Sequence, residues 1–119
     1  MTELGHLMER NLFEVFGEQD SDRRARAIAD LYVDDCAFYD AEGASVGQAA
    51  LSDRVGHILD ESPPDFSFSL LGAPDVVHDL GRLRWQTGPD GAPPVLNGMD
   101  VAIFAEGKIR TLYTFIERP

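Results

Sequence analysis

The sequence predicts an α+β fold, with helices first and a mostly antiparallel sheet after them. Three observations carry this. Apolar residues recur at spacings of three and four up to about residue 60. From Phe66 onward they alternate with polar residues. Between the two regimes stands Ser62-Pro63-Pro64-Asp65, where proline cannot continue a helix.

Residues 4–16 form the first predicted helix, with Leu4, Met8, Leu12, Val15 and Phe16 on one face, widened by Leu7 and Phe13. Gly17 is its stop. Asp20, Ser21 and Asp22 supply the cap and first-turn acids of a second helix, whose core face reads Ala25, Ile28, Leu31 and Tyr32. A short strand, Cys36 to Asp40, follows, and Ala41 to Gly47 is turn chemistry with two glycines. A third helix runs from about Gln48 to Asp60 with Leu51, Val55, Ile58 and Leu59 inward. Phe66, Phe68 and Leu70 then alternate with serines, and His78-Asp79-Leu80-Gly81 turns into a strand over Arg82–Thr87. Gly88-Pro89-Asp90-Gly91 is a turn, Val95–Ala105 a strand, and Ala105-Glu106-Gly107 a hairpin turn into Lys108–Glu117.

The 119 residues suit one domain, residues 1–119, able to bury roughly two-thirds of its chain surface. Twenty-one acidic residues against ten basic ones give a net charge of −11. Such a chain repels phosphate backbones and anionic bilayers, so neither nucleic acid nor membrane is an expected partner. The single cysteine, Cys36, excludes an intrachain disulfide and a cysteine zinc cage. His6, His57 and His78 fall on separate elements with no metal-ligand spacing, so no metal or cofactor is expected. No apolar run approaches the ~18 residues of a membrane span and no signal-peptide pattern opens the chain, so a cytoplasmic location is expected.

The last two strands carry apolar residues on both faces. Met99, Val101 and Ile103 share one face of 95–105, while Leu96, Ala102 and Phe104 share the other with Gly98 and Asp100. In the final strand Ile109, Tyr113 and Phe115 oppose Leu112 and Ile116. A sheet with one solvated face alternates more cleanly than this. A second copy covering the outer face, giving a homodimer, is the expected explanation.

Two helices, the strand CAFYDAEG (36–43), a helix opening with GQAAL (47–51) and a terminal hairpin reading GMDVAIFAEGKI (98–109) resemble the NTF2-like superfamily, nearest its SnoaL-like and ketosteroid-isomerase-like branch. The resemblance spans nearly the whole chain. It implies a cone, in which three N-terminal helices pack in a strongly curved, mostly antiparallel sheet that encloses a pocket.

The resemblance also implies site residues. The isomerase's base falls on Asp40 and its protonated oxyanion donor on Asp100. Asp100 shares an otherwise apolar strand face, where desolvation raises a carboxyl pKa. The oxyanion tyrosine of the first helix falls on Leu12, so one strong donor is missing, and Tyr32 or His57 is the expected substitute. Leu12, Phe16, Tyr32, His57, Trp85, Phe104 and Leu112 are the expected ligand-contacting set. An epoxide-hydrolase mechanism needs an Arg and an Asp two apart on one strand; the corresponding residues are Arg84 and Gln86, and Gln cannot accept a proton from water.

The expected function is binding of a small, mostly apolar or carbonyl-bearing molecule in the cone. Proton transfer of the isomerase, polyketide-cyclase or dehydratase type would use Asp40 as base and Asp100 as acid. The alternative is a non-catalytic ligand-binding or dimeric assembly module. A nuclear-transport-type protein-binding role is weaker, because it rests on surface patches that the sequence does not reveal.

Overall fold

A computed structural model of the chain describes residues 2–117. Helix α1 (Glu3–Arg10) opens with Thr2, whose side chain accepts a hydrogen bond from the Gly5 amide. It runs directly into a π-helical segment, Asn11–Phe16, where the sequence favours one regular helix. The wider turn brings Asn11 and Leu12, then Val15 and Phe16, to the interior and turns Phe13 out to solvent.

Helix α2 (Ser21–Leu31) is capped by Asp20, whose carboxylate accepts from the Asp22 and Arg23 amides at 3.0 and 2.9 Å. Its buried face is Arg24, Ala27, Ile28 and Leu31, so Ala25, expected inside, lies outside. Arg24 goes inside because its polar head is satisfied there: Nε donates to Ser52 Oγ and Nη1 to the Glu18 carbonyl. Gly56 makes the room, since a Cβ there would stand 2.9 Å from Nη2 of Arg24.

Strand β1 (Tyr32–Asp40) starts four residues earlier than the sequence suggests, because Tyr32 both ends α2 and opens the strand. The predicted turn after it contains a short strand, β2 (Gly43–Val46), antiparallel to β1. Helix α3 (Gln48–Glu61) buries Leu51 and Val55. Then follow β3 (Phe66–Leu70), β4 (Asp75–Val77), β5 (Leu80–Pro89), β6 (Leu96–Ala105) and β7 (Lys108–Glu117).

The sheet order is β2-β1-β7-β6-β5-β3, with β4 also paired to β5. Every pairing is antiparallel except β1 with β7. The β6–β7 turn is Glu106-Gly107, both at positive φ, as a two-residue hairpin needs. Just beyond it Phe104 pairs with Ile109 but Ile103 with Thr111, so Arg110 is an extra residue. That bulge puts Ile109 inside with Leu112, correcting the strict alternation that would place it with Tyr113 and Phe115.

The helices fill the concave side of this curved sheet. Met8, Leu12, Ile28, Leu31, Leu51 and Val55 from the helices join Phe38, Leu83, Ala102 and Leu112 from the strands in one core. No helix among the described residues is long and apolar enough to cross a membrane.

Candidate functional site

One end of the cone stays open as a cavity of about 460 Å³. Its walls are apolar: Leu12 and Phe16 of the π segment, Phe38 of β1, Ile58 of α3, Phe68 of β3, Trp85 of β5, Leu96 of β6 and Ile116 of β7. The strand residues reach it through the period-two alternation, and Leu12 and Phe16 through the inward turn of the π segment. Phe68 meets Trp85 edge-on with ring centroids 5.2 Å apart, which fixes both rings. The polar lining is Asp100 and Thr114 in the wall, with Asp40, Glu42, Arg54, Glu61 and Ser62 also facing the space. Glu42 and Glu61 are mostly solvent-exposed and mark the mouth.

Asp100 sits on the inner face of β6 between Gly98 and Ala102 and is only 3% exposed. Trp85 Nε1 donates to its Oδ1 at 3.1 Å, and Thr114 Oγ1 donates to the same oxygen at 2.8 Å. No hydrogen bond among the described residues reaches Oδ2. Yet no fully buried side-chain polar atom among them lacks a partner, so Oδ2 keeps contact with the cavity. Burial pushes the carboxyl up to about 6, while the Thr114 and Trp85 hydrogen bonds, which favour the charged form, pull the other way. With Oδ1 occupied by two donors, a proton taken up by Asp100 sits on Oδ2 and faces the cavity.

Asp40 ends β1 at the other polar edge of the cavity. Its Oδ1 accepts from the Glu42 amide at 3.0 Å, the turn chemistry expected of an aspartate there. Its Oδ2 takes Arg54 of α3, with Nε at 3.0 Å and Nη2 at 2.9 Å. Arg54 also bonds Glu42. Burial works against the Arg54 charge, but the bonds to Asp40 and Glu42 outweigh it and raise its pKa, so it is a fixed cation at the cavity edge.

A family model described as a SnoaL-like domain matches residues 10–112, a stretch that contains every wall of this cavity except Thr114 and Ile116. The chain belongs to the SnoaL-like family. A candidate isomerase of that family from Agrobacterium tumefaciens strain C58 superposes with a TM-score of 0.89 at 22% identity, over 98% of this chain and 99% of that one. A candidate SnoaL-like polyketide cyclase from Jannaschia sp. CCS1 gives 0.76 at 14% identity, over 97% and 85%. A candidate ketosteroid isomerase from Kribbella flavida DSM 17836 gives 0.73 at 13%, over 98% and 79%. At such identities the likeness carries the fold and not the chemistry. A comparison with curated protein sequences finds no match.

In this SnoaL-like chain Asp40, Asp100, Leu12, Phe16 and Trp85 line one cavity. Four other sequence candidates do not. Tyr32 is fully buried and donates its hydroxyl to Asn11 Oδ1, so it is not a substitute oxyanion donor. His57 is exposed on the outer side of α3, 3.1 Å from Glu61. Leu112 belongs to the closed core, and Phe104 lines a separate hollow with Leu4 and Asp79. Alternation places Arg84 and Gln86 on the outer side of β5, where Arg84 faces Glu117. An epoxide-hydrolase set is therefore not assembled around Arg84.

Arg54 and Thr114 at the cavity, and Asn11 beside Tyr32, are not singled out by the sequence pattern. Thr114 had a signal: it pairs with Asp100 across β6 and β7, a register readable from the Glu106-Gly107 hairpin once the bulge is counted. Arg54 had none, because its partners lie 14 and 12 residues upstream on another element.

Proposed function

We propose that the cavity binds a small, mostly apolar carbonyl compound whose oxygen accepts a hydrogen bond from Asp100, with Asp40 as proton acceptor in an isomerase-, cyclase- or dehydratase-type step. The observation that carries this reading is the buried Asp100 carboxyl, anchored through Oδ1 and free at Oδ2 toward an apolar cavity. A ligand that fills the cavity removes the remaining solvent from Asp100 and favours the neutral, donating form. In an isomerisation Asp40 would take the proton α to the carbonyl, Asp100 would donate to the enolate oxygen, and Asp40 would return the proton further along the chain. Arg54 orients Asp40 through Oδ2, while Oδ1 carries one amide bond and keeps a lone pair for the substrate proton.

One observation favours the second reading, a binding module without chemistry. Leu12 stands where the resembled isomerases carry a tyrosine, and the Tyr32 hydroxyl is engaged by Asn11. Losing one oxyanion donor costs on the order of 3 kcal/mol of transition-state stabilisation. Turnover of a panel of β,γ-unsaturated ketones separates the two. The catalytic reading expects Asp40→Asn and Asp100→Asn each to lower kcat/KM at least about a hundredfold. Unchanged turnover in both variants sinks it. Binding without any turnover leaves the module.

The outer sheet face supports a homodimer. Tyr39 stacks on Tyr113 there with centroids 5.1 Å apart, and Phe115 beside them is 57% exposed. An exposed aromatic cluster on a sheet face marks an interaction surface.

A further inference from the structure

We propose that the same cavity also accepts amine-bearing amphiphiles, with a protonated amine seated against Oδ2 of Asp100 and its apolar body on the aromatic wall beside it. This goes beyond the carbonyl reading. It assigns the site a second ligand class, related to the first by one proton on the protein.

Geometry carries the inference. Oδ2 is the free oxygen of a carboxyl that is otherwise buried and anchored. An ionised carboxylate in such surroundings is unfavourable until a donor or cation meets it. Trp85, whose Nε1 donates to Oδ1, turns its ring edge to the carboxyl and, with Phe68 against it, forms an apolar wall of the same cavity. A carboxylate beside an apolar wall suits an ammonium-bearing amphiphile: the first pairs with the charge, and the second packs against the apolar body.

The other charges facing the cavity have the same sense. Asp40, Glu42 and Glu61 are acidic, and Arg54, the cation among the lining residues, is bonded to both Asp40 and Glu42. Among the described lining residues, no unengaged cation is there to meet a ligand carboxylate. The chain's net charge of −11 extends the negative field outward and draws cations toward the mouth.

The protonation state of Asp100 decides which ligand fits. Its carboxyl, raised to about 6 by burial, is mostly ionised at neutral pH while the cavity is open to solvent. The ionised form accepts from an ammonium; the neutral form donates to a carbonyl. The titratable groups around it are Tyr32, fully buried with its own pKa raised by burial, and Asp40, Glu42, Arg54 and Glu61 facing the cavity, with His57 against Glu61.

The test uses one apolar body with three head groups: 1-adamantanamine, 1-acetyladamantane and 1-adamantanecarboxylate. Trp85 is the only tryptophan, so its emission reports cavity binding, with calorimetry as a second readout. At pH 7.5 the amine should bind at least about tenfold more tightly than the ketone, and the carboxylate weakest. Between pH 7.5 and pH 5 amine affinity should fall by about tenfold while ketone affinity rises. Asp100→Asn, checked for folding by thermal melting, should abolish the preference of amine over ketone. The wild-type pH series stands alone if that variant does not fold. A ketone that binds as tightly as the amine at pH 7.5 overturns this inference and leaves the carbonyl reading intact. An amine preference that survives Asp100→Asn also overturns it, because the mouth acids alone would then explain it. Absence of binding by all three overturns both readings.

Discussion

The Trp85 indole lies over Gly98, its cross-strand partner, and thereby reaches Asp100 two residues further along β6. A Cβ at position 98 would stand 2.1 to 2.5 Å from three atoms of that ring. Gly98 is therefore the residue that allows the Trp85–Asp100 bond. The bond in turn aims the carboxyl, because it occupies Oδ1 and leaves Oδ2 to the cavity.

Gly98→Ala should push the indole aside. The expected destabilisation is about 1–3 kcal/mol, typical of overpacking a filled space. Urea unfolding measures it, and a red shift in Trp85 emission reports the displaced ring. A variant with wild-type stability and emission refutes the arrangement.

Asp100 gives the fold a pH dependence of definite sign. Its folded pKa, about 6, lies above the ordinary 3.8, so between those values the folded chain holds more protons than the unfolded one. Stability falls as pH rises through that window, the penalty being absent below it and complete above it. A shift of this size corresponds to roughly 2–3 kcal/mol. Asp100→Asn imitates the protonated form and retains an acceptor for Trp85 and Thr114. It should be more stable than wild type at pH 8, with the difference closing toward pH 4. A constant difference from pH 4 to pH 8 is the contrary result.

The change of period at residues 62–65 and the inner face of β6 were legible in the sequence, because alternation in a strand is a strict geometric rule. It placed Gly98, Asp100, Ala102 and Phe104 together, and the structure buries all four. What was illegible has physical causes. The π segment adds a residue to a turn, and the Arg110 bulge adds one to a strand; each moves a face without changing composition. Arg24 lies buried because Ser52 and the Glu18 carbonyl receive it, a fit that only tertiary structure creates. Tyr32 faces the core as expected, but its hydroxyl is taken by Asn11, a polar residue on the inner stripe of the first helix whose pairing with Tyr32 only the tertiary fold creates.

That last pair makes its own prediction. Tyr32→Phe leaves Asn11 Oδ1 without its donor in a closed interior, at an expected loss of about 1–2 kcal/mol. Because Tyr32 does not line the cavity, ligand affinity should stay within about twofold of wild type. A large loss of affinity at full stability would return Tyr32 to the binding site.

Arg54 ties the end of β1 to α3 through two carboxylates of unequal burial. Asp40 is 14% exposed and Glu42 is 71% exposed. The buried arm should dominate, since exposed pairs contribute about 0.2–1 kcal/mol at most. Double-mutant cycles with Arg54→Met should give a coupling to Asp40→Asn of about 1–3 kcal/mol, and to Glu42→Gln below about 0.5 kcal/mol. Equal couplings would mean that the Asp40 contact is no stronger than a surface pair.

The outer sheet face tests the proposed dimer. Tyr39, Tyr113 and Phe115 cluster there, and Met99, Val101 and Ile103 of β6 share the same side. Two ion pairs, Arg82 with Asp75 and Arg84 with Glu117, flank a hollow beside Met99. A stable dimer needs roughly 800 Å² from each copy, and an apolar centre with a polar rim is how such interfaces are built. Light scattering at micromolar concentration should give twice the chain mass. Tyr113→Asp puts a charge in the middle of the patch without touching the cavity and should give the single-chain mass. Its amine and ketone affinities should stay at wild-type values, because Tyr113 and the Asp100 cavity lie on opposite faces of the sheet. A wild-type chain that is monomeric at these concentrations removes the dimer and leaves the cavity readings untouched.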